Sequence, residues 1–202
     1  MLDRPHRYQP PEGRRRALKA LGEGPHQLTE DERHSLDQDG YVILGPLLDA
    51  AELASIRVAA DAQVELEGAD SGREVSQTRG VARVSGTVLK PMNRDGLFDV
   101  LYLHPTLLAA VAHVLGDDFK VSSSNFHCPL PGYGHLMLHA DWGWGVNHPE
   151  VVIVIWMLDE FTTSNGATRI LPTSHKSGDG GQPPPSLTNA AASQRGEVLC
   201  TG

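Results

Sequence analysis

Val151-Val152-Ile153-Val154-Ile155-Trp156-Met157-Leu158 is an unbroken apolar run. A strand sends successive side chains to opposite faces, so a run apolar at every position expects burial on both faces. The stretch therefore predicts a central strand. Shorter apolar runs lie on either side of it, at 119–125, 136–139, 168–171 and 197–200, separated by Gly, Pro, Asn and Ser. That is an all-β pattern.

The first half reads differently. Thr29 and Glu32 form a capping box, predicting a helix from about residue 30 to about Asp39, with Gly40 as its stop. Tyr41-Val42-Ile43-Leu44 reads as a short strand. Asp49 and Glu52 repeat the capping signal, and Leu53, Ile56, Ala60 and Val64 recur at helical spacing up to Gly68. Residues 68–80 are polar and read as a loop. His104-Pro105 opens a third helix that turns Leu107, Leu108, Val111, Val114 and Leu115 inward and ends at Gly116. Helices first and strands later predict helices packed outside a β-sandwich or open barrel. Residues 176–192, with Gly180-Gly181 and Pro183-Pro184-Pro185, read as a mobile loop.

The 202 residues suffice for one domain with a sizeable core. Net charge is −8, unevenly placed. Residues 1–26 hold Arg4, Arg7, Arg14, Arg15, Arg16 and Lys19 together with several prolines, and read as a flexible basic tail. The remainder, 27–202, carries about −11, which argues against nucleic acid as a partner. Cys128 and Cys200 suggest no disulfide framework and fit a reducing cytoplasm. No apolar run approaches the length of a membrane span.

Between these strands stands His135-Leu136-Met137-Leu138-His139-Ala140-Asp141-Trp142. On a strand, His139 and Asp141 project to one face. An imidazole and a carboxylate so placed are two of the three protein ligands of the facial triad in non-haem Fe(II) oxygenases. The motif alone is weak, since His-x-Asp also occurs as a structural hydrogen-bonded pair. A zinc site built on His135 and His139 is disfavoured: the stretch lacks His-Glu-x-x-His, and its neighbours read as strands.

The residues C-terminal to the motif add weight. His139-Ala140-Asp141, then Trp156, then Asn165-Gly166-Ala167-Thr168-Arg169-Ile170-Leu171-Pro172-Thr173-Ser174-His175-Lys176 resembles the phytanoyl-CoA dioxygenase family of Fe(II)- and 2-oxoglutarate-dependent oxygenases. The opening helix and strand at 28–44 and the His104-Pro105 helix fit the same pattern. The resemblance implies a mainly β fold with flanking helices, a double-stranded β-helix (jelly-roll, cupin-like) over 27–202. It implies that His139 and Asp141 bind Fe(II), with 2-oxoglutarate and O2 as cosubstrates and a small organic molecule as the hydroxylated substrate. Trp156 stands where the family places an aromatic residue against 2-oxoglutarate, and Asn125 falls near a position that lines that pocket. Trp142 and Trp144 fall at the pocket mouth. The family carries its third ligand, a His, and then an Arg for the distal carboxylate of 2-oxoglutarate, beyond the Gly-rich loop. Residues 196–202 resemble the start of that strand, so both are expected past Gly202 and the jelly-roll is expected to be C-terminally incomplete. His175 as a substitute ligand is the lesser reading, as is Arg169 as a carboxylate anchor. Two function classes stay open at this point: a hydroxylating dioxygenase, and an inactive relative that only binds a small molecule.

Overall fold

The computed structural model describes residue 19 and residues 28–68, 81–85, 95–129, 149–176 and 198–201. Helix α1 (Glu30–Gln38) begins where its capping box requires. The Thr29 hydroxyl accepts from the Glu32 N–H at 3.2 Å, and the Glu32 carboxylate accepts from the Thr29 N–H at 2.7 Å. Two of the four orphan donors at the helix start are thereby satisfied. Strand β1 (Ile43–Leu44) follows, then α2 (Ala50–Glu67), whose own box pairs Asp49 with Glu52. Strand β2 (Val81–Ser85), the single turn α3 (Val100–Leu103) and α4 (Pro105–Leu115) come next. The remaining elements are β3 (Asn125–Pro129), β4 (Val154–Met157), a 3-10 turn at Ser174–Lys176 and β5 (Val198–Thr201).

Two sheets form. In the first, β5 lies between β1 and β4 and runs parallel to both, pairing Ile43 with Leu199 and Trp156 with Cys200. In the second, β2 and β3 are antiparallel, with Val81 opposite Pro129 and Ser85 opposite Asn125. Jelly-roll sheets are antiparallel, so the parallel trio does not by itself display that architecture. Among the described residues, helix outweighs strand, and the mainly β expectation is not met there. The strand-like run at 136–139 lies outside them. So do the basic tail, the 69–80 loop and the proline-rich loop, apart from Lys19 in the tail and Lys176 at the start of that last loop.

Three strand expectations need correction. The 151–158 run yields only β4, and β4 is an edge strand of its described sheet, with Ile153 left 37% exposed. The 119–125 run stays irregular, and the strand starts at Asn125 instead. Pairing with β2 decides that register, and β-propensity follows the partner rather than the local run. Residues 168–171 form no strand and pair with none among the described residues, although Ile170 is buried.

The core has two parts. Leu28, Leu36, Val42, Leu44, Leu107, Ala110 and Val111 join α1, β1 and α4. Leu48, Ile56, Ala60 and Phe98 join α2 to the chain before α3. Leu44 and Ile56 are wholly buried. Each such side chain contributes about 2–3 kcal/mol of transfer free energy. Trp156 packs against both clusters, and among the described residues no other side chain does.

The C-terminal end of α1 is closed by residues 173–176, far along the chain. Thr173 donates its backbone N–H to the Asp39 carbonyl at 2.7 Å, and Lys176 Nζ donates to Gln38 Oε1 at 2.8 Å. His175 Nε2 lies 3.2 Å from the Asp37 carbonyl, which can only accept, so Nε2 carries the proton. Basic side chains favour a helix C-terminus, and α1 has none in its own last turn. Gly40, at φ +83°, leaves room for the His175 ring, which a Cβ there would overlap. Thr173 itself sits at φ +65°, a strained position for a β-branched residue.

His104 caps α4: its Nδ1 accepts from the Thr106 N–H at 3.3 Å. Burial holds this imidazole below its ordinary 6.5, with the Glu52 carboxylate pushing weakly the other way.

These contacts lead to two expected outcomes. Gly40→Ala adds left-handed strain and a clash, and is expected to cost roughly 2–4 kcal/mol in denaturant unfolding. In a His175→Ala background the cost should drop to about 1–2 kcal/mol, the strain alone. His104 has a folded pKa below its unfolded value, so its contribution is whole above pH 6.5 and is lost as pH falls through the folded value. Urea midpoints between about pH 7.5 and about pH 5 should therefore fall less steeply in His104→Asn, which keeps a capping oxygen, than in the parent.

Candidate functional site

His139 and Asp141 lie outside the described residues, as do His135, Trp142 and Trp144. Among the described residues, no three His, Cys, Asp or Glu side chains converge as a metal centre would need. The expectation that His139 and Asp141 bind iron therefore falls on residues outside those described.

Trp156 is described, and it is held at several points. Its indole Nε1–H donates to the Leu101 carbonyl at 3.1 Å. Its ring meets His104 edge-on, with centroids 6.5 Å apart and planes at 70°. Such a T-shaped pair is worth about 0.5–1.5 kcal/mol beyond area burial. Just past β4, Arg57 of α2 donates Nε–H to the Leu158 carbonyl, and its guanidinium lies 3.2 Å from the Asp159 carboxylate. The strand bearing Trp156 is thus tied to α2 at its end and to the α3 turn at its middle.

Asn125 opens β3, opposite Ser85, and is exposed. Its neighbour Phe126 turns toward the second apolar cluster, so Asn125 occupies the other face of the strand. Cys128 shares the Phe126 face; its thiol is free and is pushed up by burial and by the Asp159 and Asp61 carboxylates. A thiol so placed is a poor nucleophile at neutral pH.

His175, His113 and Asn165 take structural roles. His175 commits Nε2 to the Asp37 carbonyl, and its Nδ1 is buried against Gly40 without a partner among the described residues, so the ring is not presented to a metal. His113 Nε2 pairs with Asp37 Oδ1 at 2.9 Å, joining α4 to α1. Asn165 closes the turn after β4: its Nδ2 donates to the Glu160 carbonyl at 2.6 Å, and its Oδ1 accepts from the Thr162 N–H at 2.8 Å. The residues that sequence reasoning missed are Leu101 and His104. His104-Pro105 was legible as a helix start, but nothing in the pattern says that a Trp much later in the chain packs against it.

No described helix is long and apolar enough to cross a membrane. A family model, phytanoyl-CoA dioxygenase (PhyH), matches residues 36–197. Dioxygenase af480 of Aspergillus fumigatus is 32% identical over 92 residues, a stretch covering 41% of this chain and 28% of that protein. The match thus spans less than a third of that relative's length. No solved structure matches the chain. The family match covers most of the sequence, from the end of α1 to the edge of β5, and it contains both halves of the His-x-Asp motif. The chain belongs to the phytanoyl-CoA dioxygenase family, an oxygenase family known for a cupin-like jelly-roll fold.

Proposed function

We propose that the protein is an Fe(II)- and 2-oxoglutarate-dependent dioxygenase that hydroxylates a small organic substrate while 2-oxoglutarate is converted to succinate and CO2. One observation carries the reading: His139-Ala140-Asp141 falls inside the span matched by the family model and precedes Trp156 and the 165–176 segment in family order. His139 and Asp141 would hold the iron, a neutral imidazole and a carboxylate being ligands that Fe(II) sites with open positions use. The bound iron supplies the O2 chemistry, and the family's jelly-roll is the scaffold proposed for it.

The chain's own residues have narrower tasks. Trp156 has its only hydrogen-bond donor engaged by Leu101, so it offers a ligand ring carbon and no polar group. A fixed apolar wall of that kind packs against the methylenes of 2-oxoglutarate and excludes water from the reacting centre. Asn125 offers an amide that both donates and accepts, suited to a carboxylate or keto oxygen. The acidic main body argues for a small-molecule substrate over nucleic acid. The free Cys128 fits a reducing cytoplasm.

The test is turnover by the full-length protein. Succinate should form from 2-oxoglutarate only when Fe(II) is present, and His139→Ala and Asp141→Ala should each reduce it to background. Trp156→Ala should raise the KM for 2-oxoglutarate roughly fivefold, the equivalent of about 1 kcal/mol of aromatic contact. A folded protein that consumes no 2-oxoglutarate, or whose consumption survives both ligand substitutions, overturns the reading.

A further inference from the structure

The α3 turn contains an unusual vacancy. In a continuing helix the Leu101 carbonyl would accept from the N–H of residue 105. Residue 105 is proline and has no N–H. The preceding turn bonds normally, with His104 N–H on the Val100 carbonyl at 3.2 Å, so the gap falls on Leu101. Trp156 Nε1–H fills it at 3.1 Å. Proline also drives the residue before it out of helical geometry, and His104 is accordingly extended, at φ −61° and ψ 125°. That conformation makes His104 the cap of α4 and sets its ring edge-on to Trp156. One dipeptide thus frees the carbonyl that takes the indole N–H and supplies the aromatic edge that orients the indole plane.

We propose that His104-Pro105 is the positioning element for the Trp156 indole and, through it, a determinant of how tightly the protein holds 2-oxoglutarate. The second half rests on the proposed function, in which Trp156 borders the cosubstrate; the first half does not. Neither residue touches the reacting atoms. Both act through Trp156. The two contacts are distinct in kind: the hydrogen bond fixes where the indole nitrogen sits, and the ring contact fixes the tilt about it. Glu52 of α2 is the charged group that acts on His104.

The experiment uses the full-length protein labelled with 5-fluorotryptophan and read by 19F NMR, with the Trp156 resonance assigned by its loss in Trp156→Phe. It should move with pH in the parent, with a midpoint below the ordinary imidazole value. In His104→Asn, where the cap is kept and the ring is gone, that titration should vanish and the resonance should shift. His104→Phe, where the ring is kept and the cap is gone, should restore the ring contact and bring the resonance back toward the parent's. Pro105→Ala returns an N–H to compete for the Leu101 carbonyl and should shift the resonance as well. The KM for 2-oxoglutarate should rise two- to fivefold in His104→Asn and Pro105→Ala with kcat nearly unchanged, and recover in His104→Phe. An unmoved Trp156 resonance in both His104→Asn and Pro105→Ala, each folded by its thermal transition, overturns the positioning role. If the resonance moves as described but Trp156→Phe leaves the KM unaltered, positioning stands, and the assignment of Trp156 to the cosubstrate pocket is what fails.

Discussion

A backbone carbonyl that its own helix cannot satisfy is the constraint around which the described part of the molecule is arranged. Leu101 precedes Pro105 by one helical turn, and the missing N–H leaves an acceptor that costs free energy if buried unpaired. The indole of Trp156 supplies the donor. Because Trp156 also packs against both apolar clusters, that single bond fixes β4 relative to the α3–α4 junction and joins the two halves of the core. Arg57 repeats the arrangement on a smaller scale at the end of β4. Its ion pair with Asp159 is solvent-screened and worth little alone; its use is to hold the strand's direction.

A second long-range closure acts at α1. The residues that carry much of the family resemblance, Thr173 to Lys176, are spent on the carbonyls and side chains at the end of the first helix. Motif residues of this kind are easily taken for ligands. His175 shows why that is unsafe: both ring nitrogens are turned into protein, one to a carbonyl and one against a glycine. The strain at Thr173 is the local cost of reaching that partner. Gly40 is the one position in the contact where a side chain of any size is excluded.

What was legible in the sequence depends on how local the physics is. Both capping boxes, the Gly40 and Gly68 stops and the His104-Pro105 start are decided by neighbours within four residues, and all of them are where the sequence puts them. Strands depend on partners. The 119–124 and 168–171 runs had the right composition but no pairing strand among the described residues, while 125–129 had one. The 151–158 run packs through Val152, Val154, Trp156 and Leu158, alternate positions on one face, while Ile153 on the other face stays exposed. Of the proposed site, His139 and Asp141 stand out in the sequence as a spacing and Trp156 as a position in a motif. The partners of Trp156 were not, since a hydrogen bond across 55 residues leaves no periodic mark. The His104 cap was visible, and its second role was not.

The proposed function stands or falls on His139 and Asp141 forming the iron site of a 2-oxoglutarate-dependent oxygenase. Anaerobic absorption spectroscopy of the full-length protein, on adding Fe(II) and then 2-oxoglutarate, reads the metal–cosubstrate complex before any turnover. A metal-to-ligand charge-transfer band is expected that appears only with both additions and is lost in His139→Ala and in Asp141→Ala. A folded protein that gives no such band, or a band that persists in both variants, would contradict it.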